Sequence, residues 1–218
     1  MVEAVEERGR GDLRGPRPVT ARELAVPGAW EITPMLHGDS RGTFYEWFTA
    51  TGFREFAGHD FRLAQANCSV SAAGVLRGLH FAQLPPSQAK YVTCVSGAVF
   101  DVAVDIRVGS PTFGRWDSVL LDDTSHNTIY LSEGLAHGFL ALEDNSTVMY
   151  LCSEPYAPDR EHTILATDPA IDIQWPIEHH LSLSGRDAAA PTLAEAEASG
   201  VLPTWADTQA FVAALRAR

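Results

Sequence analysis

At 218 residues, with 45% hydrophobic and 20% charged positions, the chain has the size and composition of one ordinary globular domain with a full core. Its formal net charge of -12 excludes a nucleic-acid binder, which needs clustered Lys and Arg, yet leaves room for a small anion held by a few pocket arginines. No apolar run reaches the roughly 18 residues of a membrane span, and no signal-peptide core follows the N-terminus, so a cytoplasmic protein is expected.

Residues 1–27 carry Gly, Pro, Arg and Glu without periodicity and read as a mobile extension ahead of a single domain at 28–218. From Ala29 two short apolar runs flank the turn residues His37 to Gly42, a hairpin-like unit. TATGFREFAG at 49–58 predicts one short helix closed by Gly58. Eight closely spaced strands follow, at 64–71, 75–81, 90–96, 98–106, 116–121, 127–131, 137–143 and 146–152. Strands at this spacing without intervening helices predict an all-β closed barrel or double-sheet jelly roll. Beyond about residue 155 the chain becomes Pro-rich and irregular, then Ala-rich and helical near 192–199 and 206–217. In the second stretch Phe211, Val212 and Leu215 form an apolar stripe expected to pack on the barrel.

Charged and polar residues recur inside these apolar runs, and each costs free energy there unless it is paired or used. In AVFDVAVDI, Phe100, Val102, Val104 and Ile106 share one face; Val99, Asp101, Ala103 and Asp105 share the other. A two-residue turn at Ser96-Gly97 places Lys90 diagonal to Asp101 on one sheet face, as a structural ion pair or as a pocket cation. His80 alternates with Gly78 and Leu76, and reads as a core histidine or as a base beside space left by Gly78. His137 is likewise followed by Gly on an apolar strand. Neither histidine has ligands at metal spacing, so metal-free acid–base chemistry suits them better than a metal site. Tyr150 reads as core packing or as a phenolic proton donor, and Tyr156 as a platform for a planar base. Asp187, in a turn, is an N-cap or the carboxylate partner of a histidine. Cys68, Cys94 and Cys152 are expected as free buried thiols.

Taken together, DSRGTFYEWF (39–48), QANCSVSAAGVLRGLHF (65–81), QAKYVTCVSGAVFDVAVDIRVGSPTFG (88–114), SEGLAHGF (132–139), VMYLCSEPYAPDRE (148–161) and the IQWP…LSGRDAAAP stretch (173–191) resemble the dTDP-4-dehydrorhamnose 3,5-epimerase family, nearest to its actinobacterial deoxysugar and antibiotic branch. The resemblance runs from about 28 to 193. It implies a cupin-like jelly roll with short peripheral C-terminal helices at about 192–217, and a homodimer exchanging N-terminal strands. It also implies no metal or other cofactor, and a dTDP-linked keto-deoxyhexose as substrate.

Position by position, the resemblance makes His80 the general base, Asp187 its carboxylate partner and Tyr150 the acid on the opposite face. Lys90 becomes the cation at the keto oxygen, steadied by Asp101. Arg41 and Arg77 match diphosphate-binding arginines, Arg41 reaching in from the partner subunit. Glu46, Gln65, Asn67, His137, Tyr156 and Glu161 match nucleotide and sugar contacts, and Arg186 stands where the family usually has lysine. Inversion at C3, at C5 or at both stays open.

Overall fold

The computed structural model describes residues 20–176 and 180–217. Its elements, in chain order, are β1 (Thr20–Glu23), β2 (Ala29–Thr33), β3 (His37–Asp39), β4 (Gly42–Phe44), α1 (Ala50–Ala57), β5 (Gln65–Ser71), β6 (Leu76–Ala82), β7 (Lys90–Ser96), β8 (Ala98–Asp105), β9 (Trp116–Asp122), β10 (Thr128–Leu131), β11 (Leu135–Ala141), β12 (Ser146–Cys152), β13 (Glu161–Thr163), α2 (Gly185–Ala188), α3 (Leu193–Ala198) and α4 (Trp205–Arg216). Two antiparallel sheets hold most strands: β1-β2-β10-β7-β12-β5 with six, and β13-β6-β11-β8-β9 with five. This is the double-sheet jelly roll expected from the strand spacing.

Alternation along β8 explains the layering. Val99 and Ala103 join Val92, Cys94, Ile129, Val148 and Phe139 in the core between the sheets. Val102, Val104 and Ile106 point the other way, onto Ile164, Trp175, Leu193 and Leu202 of the C-terminal segment. The outer face of the six-stranded sheet is covered by α1, whose Phe53 and Ala57 pack on Ile32, Tyr91 and Tyr130. Each fully buried aliphatic side chain contributes about 1.5–3 kcal/mol, so β8, buried on both faces, is the centre of the fold. Thr49 caps α1 by accepting from Gly52 N–H at 3.2 Å, and Gly58 closes it by donating to the Arg54 carbonyl at 3.0 Å.

Several expectations are corrected. β7 and β8 do not form a hairpin; Ser96-Gly97 carries the chain from one sheet to the other. Gly97 has φ +73, and a Cβ there would stand 2.8 Å from Ser146 Oγ, so the crossing needs a residue without a side chain. The extension assigned to 1–27 falls outside the described residues for 1–19. Residues 20–23 of it are instead strand β1, paired with β2 from Thr20↔Thr33 to Glu23↔Trp30. The unit at 29–48 is also rearranged: β2 joins the large sheet, and the residues read as its turn form the exposed ribbon β3–β4.

Asp105, which alternation puts on the same strand face as Asp101, is a structural knot. It binds Arg107 Nε at 2.7 Å and accepts from Ser110 and Thr112 at 2.6 Å each. Arg107 also donates to the Pro27 carbonyl and lies over the Trp205 ring, tying the start of the chain to α4. Phe211, Val212 and Leu215 of α4 are half-buried, and Arg216 donates to the Ala57 carbonyl at 3.1 Å. Among the thiols, Cys94 and Cys152 are buried, but Cys68 is exposed because it faces outward on edge strand β5.

Candidate active site

β6 departs from simple alternation, and the departure makes the site. Its pairing with β11 runs His137↔His80 and then Phe139↔Arg77, which leaves one extra residue on β6. The bulge falls at Gly78, where φ is +124 and a Cβ would meet Gly138 Cα at 2.6 Å. Arg77 and His80 therefore face the interior together, while Leu76, Leu79 and Phe81 stay with the outer cluster. The sequence reading grouped His80 with Gly78 and Leu76 and took Gly78 as room for a ligand; the strand that comes close is β11.

His80 Nε2 lies 2.8 Å from Asp187 Oδ1. Burial pushes the Asp187 carboxyl up, but hydrogen bonds from His80, Ser184 and the Gly78 backbone outweigh it and hold its pKa below the usual value. An ionised carboxylate only accepts, so Nε2 carries the proton and Nδ1 keeps its lone pair. His80 is 35% exposed and Asp187 6%, which puts the imidazole at the pocket wall with its partner behind it. Asp187 is not an N-cap. That role belongs to Ser184, which accepts from the Asp187 N–H at 3.1 Å at the start of the single turn α2.

Beside this dyad stands a second. His137 Nε2 is 2.9 Å from both carboxylate oxygens of Asp101, which is wholly buried. Burial raises the Asp101 pKa, against the lowering pull of His137 and then Lys90. The expected Lys90–Asp101 ion pair is absent among the described residues: β7 and β8 lie in different sheets, and Asp101 is taken by His137. The Lys90 side chain makes no hydrogen bond or ion pair among the described residues, but its charge acts on Asp101 and on Cys152, its cross-strand partner.

Tyr150 projects inward from β12 of the larger sheet, packed against the core that also holds Val92 and Val148. Burial raises its pKa, Cys152 adds to the rise, and Arg77 opposes it. Arg77 donates to Ser71 Oγ at 3.1 Å and to the Val70 carbonyl at 3.4 Å. Gln65 and Asn67 line the inner face of β5, joined by a 2.8 Å hydrogen bond. Glu161, on β13, lies close enough to raise the pKa of Tyr150 and Cys152. Tyr156 is 57% exposed in the loop after β12, and Arg186 is tied to the Glu161 carbonyl at 2.8 Å. The two histidines thus come from one sheet, and Lys90 and Tyr150 from the sheet facing it.

Arg41 and Glu46 stand apart from this group. Arg41 is 88% exposed at the tip of the β3–β4 ribbon, held by Asp39, and Glu46 is exposed at its base. Tyr45 anchors the ribbon by stacking on His126 at 4.1 Å between ring centroids. The sequence reading missed the His137–Asp101 pairing and Cys152 as a neighbour of Lys90. The inward alternation of Val148, Tyr150 and Cys152 carried the second signal; only the sheet pairing carries the first. Among the described residues no three His, Cys, Asp or Glu side chains converge as a metal-ligand set would.

Residues 23–195 match the family model for dTDP-4-dehydrorhamnose 3,5-epimerase. The chain is 72% identical over 198 residues to the dTDP-4-dehydrorhamnose 3,5-epimerase of Mycolicibacterium smegmatis, covering 91% of this chain and 98% of that one. It is 53% identical over 189 residues to a dTDP-4-dehydrorhamnose 3-epimerase of Streptomyces niveus, covering 87% and 91%. Among solved structures, the rmlC epimerase of Mycobacterium tuberculosis superposes with a TM-score of 0.89 at 70% identity, covering 90% of this chain and 99% of that one. A 3'-monoepimerase from Streptomyces bikiniensis in complex with dTDP-quinovose gives 0.87 at 49%, covering 89% and 98%. With the family model spanning most of the chain and relatives of this identity matched along nearly their full length, the protein belongs to the dTDP-4-dehydrorhamnose 3,5-epimerase family.

Proposed function

We propose that this isomerase inverts C3 and C5 of a dTDP-4-keto-6-deoxyhexose through an enolate, without a cofactor. The observation that carries the reading is the opposition of the His80–Asp187 dyad on one sheet to Lys90 and Tyr150 on the other. The C4 ketone acidifies the hydrogens on both neighbouring carbons, because the electron pair left behind delocalises onto O4. His80 Nδ1 takes the proton and becomes an imidazolium beside ionised Asp187. Charge gathers on O4, where the Lys90 ammonium contributes about 3–4 kcal/mol, by analogy with one oxyanion-hole donor. Tyr150, kept protonated by burial, returns a proton to the opposite face. Exchange with solvent then resets the imidazolium and the phenolate.

Binding energy from the nucleotide handle holds the sugar through these steps. Arg77 keeps guanidinium N–H groups for the diphosphate, Tyr156 offers an exposed ring for the base, and Glu161, Gln65, Asn67 and His137 border the sugar. Arg41 and Glu46 lie on an exposed ribbon, and a homodimer in which each ribbon enters the neighbouring pocket gives them their use. The free thiols suit a reducing, cytoplasmic setting. Inversion at both carbons is favoured by the higher identity to the mycobacterial 3,5-epimerases; the Streptomyces 3-epimerases carry the second reading, inversion at C3 alone.

Incubation with dTDP-4-keto-6-deoxyglucose in heavy water tests this. Deuterium at C3 and C5 is expected, and label at C3 alone assigns the mono-epimerase. No label at either carbon ends the epimerase reading. Replacing Tyr150 with Phe is expected to preserve exchange while inversion collapses; inversion at the normal rate would remove Tyr150 from the role of acid.

A further inference from the structure

The inner face of β5 is a line of polar side chains, Gln65, Asn67, Ser69 and Ser71, beside the strand that carries Tyr150. Two of them are engaged by the protein in a directional series. The Tyr156 backbone N–H donates to Gln65 Oε1 at 2.9 Å. Gln65 Nε2 donates to Asn67 Oδ1 at 2.8 Å, and Asn67 Nδ2 donates to Cys152 Sγ at 3.6 Å. Asn67 is also the direct cross-strand partner of Tyr150, and its side chain draws the phenol pKa down against burial.

The direction of this series is set at one end. A backbone N–H can only donate, so it fixes the oxygen of Gln65 toward residue 156 and the nitrogen toward Asn67. Asn67 must then offer its own oxygen to Gln65, and its N–H groups face Cys152 and the phenol. A donor beside the phenol oxygen leaves the phenolic O–H without a partner on that side, so the proton turns toward the pocket. The same donor stabilises the phenolate once the proton has gone.

We propose that Gln65 and Asn67 are positioning residues that aim the Tyr150 proton at the sugar, and that their orientation is set by the backbone of the loop presenting Tyr156 to the nucleotide. The proposal rests on Tyr150 being the proton donor. It assigns these amides a part in reprotonation beyond contact with the substrate. It also links the segment expected to hold the base to the group that completes inversion.

Two near-isosteric changes test it. Gln65→Glu keeps the acceptor for the Tyr156 N–H and removes the donor to Asn67. Asn67→Asp keeps the acceptor for Gln65 and removes the donor to Cys152 and the phenol. In heavy water each variant is expected to lower the ratio of inversion to deuterium exchange about tenfold or more, with KM changed less than about threefold. The alkaline limb of the kcat profile of Asn67→Asp should move to higher pH, because the phenol loses a donor and gains a neighbouring charge. A raised KM with the inversion-to-exchange ratio of the wild type overturns the proposal and makes the two amides substrate contacts only. Gln65, at the start of its strand and half-buried, carries the test should Asn67→Asp fail to fold. A wild type that neither exchanges nor inverts defeats the epimerase reading itself. A wild type that does both, with variants of unchanged ratio, defeats this inference alone.

Discussion

His80 and His137 stand directly opposite each other across the β6–β11 ladder, and each ends on a carboxylate of its own, Asp187 at 2.8 Å and Asp101 at 2.9 Å. The pairs differ in access to solvent. The His80 side chain is 35% exposed, that of His137 only 10% over a fully buried partner. A base must reach its substrate and exchange its proton, so this difference in access favours His80–Asp187 for the proposed chemistry over the more enclosed His137–Asp101 pair.

Replacing Asp187 with Asn removes the acceptor that places the proton on Nε2 and puts a possible donor in its place. The imidazole then favours the wrong tautomer, and kcat is expected to fall by about 10²–10⁴ with little change in KM. Steady-state kinetics beside a urea melt check this; a kcat within a few-fold of wild type would show that Asp187 only braces α2.

Among the described residues Lys90 has no ion pair to release, so Lys90→Met should cost kcat about 10²–10³ while leaving the fold intact. Deuterium exchange is the sharper readout. It should slow in step with turnover, because in the proposed mechanism the ammonium stabilises the enolate. Exchange at the wild-type rate would place Lys90 away from O4.

Glu133 is buried beneath α4 with Oε2 unpartnered, and burial, then Glu154, pushes its pKa to about 7. The folded chain therefore holds this proton more tightly than the unfolded chain, whose glutamates titrate near 4.3. Stability lost to this group grows as pH rises from about 4.3 to 7 and is constant above. Glu133→Gln should be more stable than wild type at pH 8 by about 3–4 kcal/mol, with the difference shrinking toward pH 4.5. Urea melts at the two pH values decide it, and a gap independent of pH would contradict the assignment.

Gly78→Ala puts a Cβ 2.6 Å from Gly138 Cα at a backbone φ of +124. Both are backbone problems that no side-chain rotation relieves, and a loss of about 2–4 kcal/mol is expected. Because the bulge also aims Arg77 and His80, molecules that still fold should have lost activity out of proportion to stability. Wild-type kinetics in folded Gly78→Ala would separate the bulge from the site.

Arg41 lies on the exposed ribbon, and complementation between subunits of the proposed homodimer tests where it acts. Arg41→Ala and His80→Ala are each expected to be nearly inactive alone. After refolding as an equal mixture they should recover up to about a quarter of wild-type activity, since a mixed dimer has one intact site. No recovery, with mixed dimers demonstrated, would place Arg41 in its own subunit's site.

What the sequence determined by itself was local. Turn residues and apolar runs located eight strands and α1 to within a few residues, because the period of two and the caps are written in neighbouring positions. The residues alone left His80, Lys90, Tyr150 and Asp187 each open between a structural and a chemical role, and the family resemblance of the motifs around them is what assigned the roles. What only the tertiary structure decided was which sheet each strand joins. Gly97 sends β7 and β8 apart, so Lys90 faces Asp101 from another sheet rather than pairing along one, and His137 takes that carboxylate. The bulge at Gly78 turns Arg77 and His80 to the same side, against the alternation read from the chain. Such facts depend on contacts between residues far apart in sequence: the close approach of Gly138, the register of β11 and the pairing of His137 with Asp101. No local propensity encodes them.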